Sequence, residues 1–231
     1  MLPLPVSDPL PTGCQPLDDL LGGGLERGTV TQVYGPPAAG KTNVALCAAV
    51  RAAADGLAVY VDTEGLSPAR FEQVAAAVGD VDDIASRVIV SNAHDFEEQE
   101  QAVRDVAEFA ERADVVVVDS ATGFYRLERH DGDEGEVLRR VARQVTHLLS
   151  LARRHDLAVV LTNQVFTDPD ADRVRPLGGN TLEHWTGVVL RLDRFRGGKR
   201  RATLEKHGSK PAGETATFQI TDAGLEAVEE F

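Results

Sequence analysis

The sequence lacks long apolar runs and contains little cysteine. No run approaches the roughly 20 apolar residues of a membrane-spanning helix, and the first residues do not form a charged and then apolar leader. Cysteine occurs only at Cys14 and Cys47, far apart in the sequence, and Cys47 has apolar neighbours. Cys47 is therefore predicted to be a buried, reduced thiol. These absences argue against a membrane protein and predict a soluble, cytoplasmic one.

Positive charge is also scarce. The formal net charge is −13, which argues against general electrostatic attraction to nucleic acid or to anionic lipid. Only four of the 24 basic residues are lysines. Many carboxylates together with few lysines suit a cytoplasm rich in salt, so the composition suggests a halophilic source.

Short apolar runs alternate with longer stretches of helical composition. The predicted strands are Thr29–Tyr34, Ala58–Asp62, Arg87–Ser91, Val115–Asp119 and Leu157–Thr162. The predicted helices are Thr42–Ala54, Pro68–Val78, Asp95–Glu111 and Glu134–Arg154. Because strands such as "VVVV" are uniformly apolar, the pattern predicts an α/β fold with a mostly parallel central sheet and helices on both faces.

The pattern changes after Gly187. The stretch "VVLRLDRFRGGKRRATLEKH" predicts two strands joined by a two-residue turn at Gly197 and Gly198, and a further strand is expected near Thr217–Ile220. These strands predict an antiparallel extension of the same sheet. We expect one domain over residues 1–231, with a flexible proline-rich segment at 1–11.

The stretch "VYGPPAAGKTNVAL" predicts a phosphate-binding loop between a strand and a helix. It satisfies the pattern G-x-x-x-x-G-K-[ST], in which bare backbone N–H groups converge on phosphate oxygens and the lysine adds positive charge. The residues predicted to bind ATP are Gly35, Pro36, Pro37, Ala38, Ala39, Gly40, Lys41, Thr42 and Asn43. The hydroxyl of Thr42 is a candidate ligand of Mg²⁺.

Three polar residues at the ends of predicted strands complete this site. Asp119, after four valines, is expected to hold Mg²⁺ with Thr42, because ligands bind at the carboxyl end of parallel strands. Asp62 and Glu64 are candidates for the general base, and the longer reach of Glu64 favours it. Gln164 is expected to contact the γ-phosphate. The following segment, Val165–Asn180, is expected to be irregular and to change conformation when that contact forms.

Taken together, these motifs resemble the RecA/RadA recombinase superfamily. The resemblance rests on the phosphate loop and on "VYVDTEGLSPARFEQVA", "DVVVVDS", "LTNQV", "GGNTLEHW" and "KHGSKPAGETATFQITDAGL", in this order along the chain. It implies a RecA-like P-loop ATPase core in which Lys41, Glu64 and Gln164 are catalytic. It also makes Arg70 a candidate to stack on adenine.

The resemblance further implies contacts with DNA and with neighbouring subunits. Two loops, 121–135 and 165–180, are expected to face DNA, and their cations are Arg126, Arg129, Arg173 and Arg175. Lys206 and Lys210 are candidates to approach the nucleotide of a neighbouring subunit, although both are equally consistent with ordinary surface lysines.

A basic cluster surrounds the predicted hairpin turn. Its members are Arg194, Arg196, Lys199, Arg200 and Arg201. The cluster predicts a sequence-independent contact with the phosphates of DNA, with single-stranded DNA favoured. A solvated hairpin tip that discourages pairing at the sheet edge is the alternative interpretation.

These expectations favour an ATP- and Mg²⁺-binding auxiliary protein of DNA repair and recombination. Its expected partners are DNA and the main recombinase, RadA, its ATP turnover is expected to be weak, and homo-oligomerisation is left open. The alternatives are a KaiC-like signalling ATPase or kinase and a catalytically active strand-exchange recombinase. The chain shows neither the N-terminal helical domain of full-length recombinases nor a Phe-x-x-Ala segment before the core, which argues against strand exchange.

The acidic composition yields a prediction about stability. If the composition is an adaptation to salt, the midpoint of thermal unfolding rises from dilute buffer to molar KCl, because salt screens the repulsion among the carboxylates. Circular dichroism during heating measures this midpoint. Equal stability in dilute buffer and in molar KCl would contradict the halophilic interpretation.

Overall fold

A computed structural model describes residues 7–125, 134–168, 173–177 and 179–228 of the chain. The helices are α1 (Gln15–Leu21), α2 (Lys41–Ala53), α3 (Pro68–Val78), α4 (Val81–Ala85), α5 (Phe96–Asp105), α6 (Glu134–His155) and α7 (Gly179–Trp185). The strands are β1 (Val30–Tyr34), β2 (Ala58–Asp62), β3 (Val88–Asn92), β4 (Val115–Asp119), β5 (Ala158–Asn163), β6 (Val165–Asp168), β7 (Arg173–Pro176), β8 (Val188–Arg194), β9 (Arg200–Lys206), β10 (Thr215–Thr221) and β11 (Gly224–Ala227). The predicted alternation of strands and helices is confirmed.

Nine of these strands form one sheet in the order β11-β10-β9-β8-β1-β5-β4-β2-β3. The pairings from β8 across to β3 are parallel. The pairings β8–β9, β9–β10 and β10–β11 are antiparallel. The mostly parallel sheet with an antiparallel C-terminal extension is therefore confirmed.

Alternate residues of the central strands enter two apolar cores on opposite faces of the sheet. In β4, Val115 and Val117 belong to the core that includes α2, whereas Val116 and Val118 belong to the core that includes α6. Side chains in a strand point to opposite faces in turn. Because helices cover both faces, every position in these strands must be apolar, which accounts for the four consecutive valines.

Two predicted helix starts have the expected caps. The Ser67 hydroxyl oxygen accepts a hydrogen bond from the Arg70 N–H at 3.3 Å, and Pro68 occupies the first helical position of α3. The Asp95 carboxylate accepts from the Glu98 N–H at 2.8 Å at the start of α5. Both caps satisfy a backbone donor that the first helical turn leaves without a partner.

The prediction of a continuous helix over 95–111 is wrong. The α-helix α5 ends at Asp105 and continues as a short 3₁₀ turn, Val106–Glu108. The chain then bends so that Ala110 and Ala113 are buried and the Asp114 N–H donates to the Leu57 carbonyl at 2.8 Å. A straight helix over this range would conflict with the return of the chain to the sheet at β4.

The predicted two-residue turn between β8 and β9 is also wrong. The strands end at Arg194 and begin again at Arg200, and the Phe195 N–H donates to the Lys199 carbonyl at 2.8 Å. Gly197 and Gly198 have φ angles of 68° and 79°, a region that favours glycine. The two glycines therefore lie inside a longer loop with a 3₁₀ turn rather than forming the whole connection.

The segment Val165–Asn180, expected to be irregular, contains regular structure. Its strands β6 and β7 pair antiparallel, with Val165 opposite Pro176, and α7 begins at Gly179. Residues 169–172 and 178 lie outside the described residues. β-Branched residues such as Val165 and Val174 favour an extended backbone. This local preference is enough to form two short strands, although the segment has no regular hydrophobic periodicity.

The ends of the chain add two features to the predicted fold. Residues 1–6 of the proline-rich segment lie outside the described residues, whereas Leu10 is buried and pairs with Leu25. The expected strand near Thr217–Ile220 is present within β10 and is followed by β11. None of the helices in the described ranges combines the length and the apolar character that a membrane crossing requires.

Candidate nucleotide-binding site

The predicted phosphate loop connects β1 to α2. A Cβ atom at Gly35 would lie 2.2 Å from the Leu192 carbonyl oxygen, and one at Gly40 would lie 2.8 Å from Ile220 Cδ1. Gly40 also has a φ of 106°. Both positions therefore require glycine, because β8 and β10 pack closely against the loop.

The loop opens into a cavity of about 370 Å³ at the carboxyl ends of the parallel strands. Its lining residues are Gly35, Pro37, Ala38, Gly40, Lys41, Thr42, Asn43, Glu64, Asp119, Ser120, Thr162, Gln164 and Val165. The structure thus brings Lys41, Thr42, Glu64, Asp119 and Gln164, five residues chosen from the sequence, to one cavity.

The Lys41 ammonium lies against the loop that it follows. Its Nζ donates to the carbonyl oxygens of Gly35 at 2.9 Å and Pro36 at 3.2 Å. Burial lowers the pKa of Lys41, while the negative charges of Asp119 and Glu64 act in the opposite direction. The positive charge is therefore held by carbonyl oxygens of the phosphate loop.

Asp119 is buried at the end of β4 and is surrounded by hydroxyl donors. Its carboxylate accepts from the Tyr60 hydroxyl at 2.8 Å and from the hydroxyls of Thr162 and Thr42. Burial raises the pKa of Asp119, and these hydrogen bonds oppose that shift. The contact with Thr42 places two hard oxygen ligands side by side, the chemistry that Mg²⁺ prefers.

Asp62 and Glu64 have different surroundings. The Asp62 carboxylate accepts from the backbone N–H groups of Glu64 at 3.1 Å, Gly65 at 2.9 Å and Leu66 at 2.5 Å. Both of its oxygens thus hold the loop after β2. Glu64 projects from that loop into the cavity beside the phosphate loop. Asp62 therefore has a structural role, and the role of Glu64 as general base stays a prediction.

Glu64 Oε1 is shared by two donors from different strands. The Ser120 hydroxyl donates to it at 2.8 Å, and the Gln164 side-chain amide donates at 2.9 Å. Ser120 is itself fixed by Thr63, whose hydroxyl accepts from the Ser120 N–H at 2.8 Å and donates to the Ser120 carbonyl at 3.1 Å. Sequence reasoning missed Ser120 and Thr63, because nothing in the spacing of "DS" and "DTEG" indicates that their side chains meet.

Gln164 is connected to the segment that follows it. Its N–H donates to the Thr122 hydroxyl at 3.2 Å, and its carbonyl accepts from the Leu177 N–H at 2.9 Å. The Asn163 side chain donates to the Leu177 carbonyl at 2.7 Å. The end of β5 is therefore hydrogen-bonded to the loop after β4 and to the residue that follows β7.

Arg70 lies on α3 with its guanidinium held by several acceptors. Its Nε donates to Asn43 Oδ1 at 2.8 Å, and its terminal nitrogens donate to the Asp222 and Gly224 carbonyls at 3.2 and 3.5 Å. These contacts place it between the phosphate-loop helix and the β10–β11 turn. Its stacking on adenine stays a prediction.

The predicted DNA contacts are distributed over several regions. Arg126 and Arg129 lie outside the described residues, and Arg173 and Arg175 belong to β7. In the hairpin cluster, Arg194 and Arg196 are exposed and Lys199 is half-buried.

Two members of that cluster pack against the protein. The Arg201 guanidinium lies 4.1 Å from the centroid of the Phe195 ring. Arg200 donates to the Gly198 carbonyl at 2.6 Å, and its Cγ lies 3.9 Å from the position of a Cβ at Gly40. Of the described cluster members, Arg194 and Arg196 are therefore the most accessible to a ligand.

Lys206 and Lys210 both contact carbonyls of their own chain. Lys206 Nζ donates to the Glu183 carbonyl at 2.6 Å, in α7. Lys210 Nζ donates to the Asp19 carbonyl, near the end of α1. Cations at helix C-termini are favourable, so these contacts have a local structural cause, and the inter-subunit role stays a prediction.

This sheet order and this site define a RecA-like P-loop ATPase core. A family model described as Rad51 matches residues 9–228. The "DNA repair and recombination protein RadB" of Halobacterium salinarum is 71% identical over 223 residues, which cover 94% of each chain. The protein of the same description from Archaeoglobus fulgidus is 41% identical over 94% of this chain and 97% of its own length.

A solved structure gives the same result. The crystal structure of the RadB recombinase superposes with a TM-score of 0.82 at 38% identity, covering 95% of this chain and all of the other. The chain therefore belongs to the Rad51 family, and within it to the RadB group.

The different surroundings of Asp62 and Glu64 yield a prediction about stability. Asp62→Ala removes the acceptor of three backbone donors and lowers the free energy of unfolding by about 2 kcal/mol. Glu64→Ala, at an exposed position, changes it by about 0.5 kcal/mol or less. Chemical denaturation in molar KCl measures both variants, and equal losses would contradict the assignment of the structural role to Asp62.

Proposed function

We propose that this chain is an ATP-binding protein of DNA repair and recombination that assists the RadA recombinase, binds single-stranded DNA and hydrolyses ATP slowly. The observation that carries the proposal is the meeting of Glu64, Ser120 and Gln164 beside the phosphate loop. A conformational switch driven by nucleotide needs such a contact. Its hydrogen bonds can be replaced by hydrogen bonds to the γ-phosphate when ATP binds. The names of the relatives support the role in repair and recombination.

The nucleotide is held mainly by the phosphate loop. Backbone N–H groups from 35–42 bind the phosphate oxygens, and the flexible stem of Lys41 carries its ammonium from the loop carbonyls to the β- and γ-phosphates. Thr42 and Asp119 would hold Mg²⁺, which supplies charge neutralisation at the phosphates when it is bound. The adjacent oxygens of these two side chains fit that ion.

Glu64 is the proposed general base, and Gln164 is the proposed sensor. In the nucleotide-bound protein, the Gln164 amide turns towards the γ-phosphate, and Glu64 Oε1, still held by the Ser120 hydroxyl, gains an open acceptor position for a proton of the attacking water. The Gln164 backbone N–H and carbonyl are bonded to Thr122 and Leu177, so a backbone shift that accompanies the turn of the amide would reach the loop after β4 and the residue after β7. Slow turnover is consistent with a base that must first exchange its hydrogen bond with Gln164.

DNA binding is assigned first to the exposed part of the β8–β9 hairpin. Arg194, Arg196 and Lys199 form its accessible cations on a chain of net charge −13. A patch of this kind contacts phosphates without reading bases. The loops 121–135 and 165–180 are proposed as further contacts, on the resemblance to the RecA/RadA superfamily.

Strand-exchange assays distinguish an auxiliary protein from a strand-exchange recombinase. We expect the purified protein alone to give no strand exchange between homologous DNA molecules and to alter the exchange catalysed by RadA. RadA should also be recovered with this protein from cell extract at high salt. Strand exchange by this chain alone would favour the active recombinase instead. The similarity to a Halobacterium protein supports work at molar KCl.

Substitution of Glu64 tests the proposed chemistry. Glu64→Gln keeps the size of the side chain but removes the base, so ATP turnover falls at least about 100-fold while nucleotide affinity changes less than about threefold. Turnover is measured by phosphate release, with and without single-stranded DNA, and affinity by equilibrium binding. Glu97→Gln, an exposed carboxylate on α5, is the matched control. Unchanged turnover in Glu64→Gln would show that Glu64 is not the general base.

Charge reversal tests the hairpin. The double variant Arg194→Glu/Arg196→Glu should weaken binding to single-stranded DNA and reduce the slope of log K against log salt by roughly 0.7 for each phosphate that the variant no longer neutralises. Arg51→Glu/Arg112→Glu, at two exposed positions away from the hairpin, changes the net charge by the same amount and is the matched control. Equal affinities of the hairpin and control variants would identify the hairpin as a solvated tip.

A further inference from the structure

The single tryptophan of the chain is exposed. Trp185 ends α7 and is 39% exposed, in a sequence with 5% aromatic residues. The other exposed aromatic side chain in the described residues, Phe195, has the Arg201 guanidinium over its ring. Trp185 contacts the His184 ring edge-on, at 4.9 Å between centroids and 82° between planes. Core packing does not account for the exposed indole.

Trp185 faces a stripe of arginines along α6. Arg139, Arg143 and Arg153 are exposed and follow the spacing of one helical face. A cavity of about 420 Å³ is lined by Trp185 with Arg139 and Arg143, and one of about 380 Å³ by Trp185 with Arg153 and Arg154. Both cavities also include Thr146, so the indole stands between two arginine pairs. Leu138, Ala142 and Leu149 supply apolar lining to the same cavities. We call this surface, with Arg139, Arg143, Arg153, Arg154 and Trp185 as its charged and aromatic members, the α6–α7 groove.

The helix dipole explains only part of this arrangement. Arg153 and Arg154 lie in the last turn of α6, where cations are favourable, but Arg139 and Arg143 lie in its first half. Glu136 forms ion pairs with both Arg139 and Arg143, at 2.9 and 2.8 Å. Glu136 thus neutralises part of the charge of two of the four guanidinium groups, on a chain whose net charge is −13. The groove is a local concentration of positive charge.

We propose that the α6–α7 groove binds single-stranded nucleic acid, with a base stacked on Trp185 and phosphates on the two arginine pairs. The inference rests on the proposed DNA binding and adds a second contact surface to it. Arg139 and Arg153 are 14 positions apart, or about 21 Å along a helix axis, which spans several nucleotides. An exposed indole between guanidinium groups matches the way single strands are bound without sequence preference.

Salt favours a nucleic acid over an acidic protein segment as the occupant. In molar KCl the Debye length is about 3 Å, so contacts of the exposed arginines are weak, whether their partner is a phosphate or a carboxylate. Stacking of a base on an aromatic ring depends far less on salt, and the groove supplies a ring at its centre. An acidic peptide would use the arginines and leave the indole without a specific role.

Because Trp185 is the only tryptophan, its fluorescence reports this site alone. We expect an oligothymidylate of about 20 nucleotides to quench the emission of the full chain, and the quenching to persist as KCl is raised. Trp185→Leu should weaken binding of a labelled oligothymidylate about tenfold, measured by anisotropy. Arg153→Gln/Arg154→Gln should lower the salt slope by about 1.4, whereas Arg112→Gln should not change it. Circular dichroism and ATP binding verify that each variant is folded.

The outcomes separate this inference from the proposed function. If DNA binds without quenching the tryptophan emission and Trp185→Leu leaves the affinity unchanged, the groove is not a DNA-binding site. The hairpin would then remain as the proposed DNA site. Equal quenching by polyglutamate would identify an acidic peptide as the occupant and overturn the inference. Quenching on raising the protein concentration alone would assign the groove to a second copy of the chain. Failure of the wild-type chain to bind oligothymidylate would reject the proposed DNA binding and the groove with it.

Discussion

The parallel register of the central strands places the chemistry of this protein at one edge of the sheet. Asp62 at the end of β2 is paired with Asp119 at the end of β4, and Tyr34 at the end of β1 with Asn163 at the end of β5. The residues that follow these ends, including Glu64, Ser120 and Gln164, must therefore lie together. A shift of one strand by a single residue would also turn its apolar side chains from one core to the other. The two cores consequently fix the register, and the register fixes the site.

Hydrogen bonds between strands then give each polar residue a distinct role. Asp62 uses both oxygens to hold backbone donors, Asp119 is enclosed by three hydroxyls, and Glu64 is held by side chains that follow β4 and β5. Three carboxylates thus have three roles: Asp62 supports the loop, Asp119 is a candidate metal ligand and Glu64 is a candidate base. What distinguishes them is the number and kind of donors around each one, which burial and strand position determine.

The phosphate loop was predictable from the sequence because its signal is local. Glycines, lysine and threonine at fixed spacing between a strand and a helix specify one backbone path. Each of the five strands predicted for the parallel part of the sheet lies within one residue of its predicted bounds. The polar residues at strand ends could be found for a related reason, since parallel strands end at a common edge. The caps at Ser67 and Asp95 also depend only on neighbours within three residues.

Features that depend on distant contacts could not be predicted in this way. The Thr63–Ser120 pair joins residues 57 positions apart, and Lys206 and Lys210 bind carbonyls of Glu183 and Asp19. The end of α5 is set by the need to enter β4, not by its own composition. The exposed Trp185 gives no sequence signal of its own, because a tryptophan in an amphipathic stretch is usually buried.

The central claim is that Gln164 exchanges its bond to Glu64 for one to the terminal phosphate. A crystal structure of the protein with Mg²⁺ and a nonhydrolysable ATP analogue tests it most directly. We expect the Gln164 amide within hydrogen-bond distance of the γ-phosphate, Lys41 Nζ moved from the Gly35 carbonyl to the phosphates, and Glu64 Oε1 bonded to Ser120 but no longer to Gln164. A bound analogue with the Gln164–Glu64 hydrogen bond still in place would contradict the account.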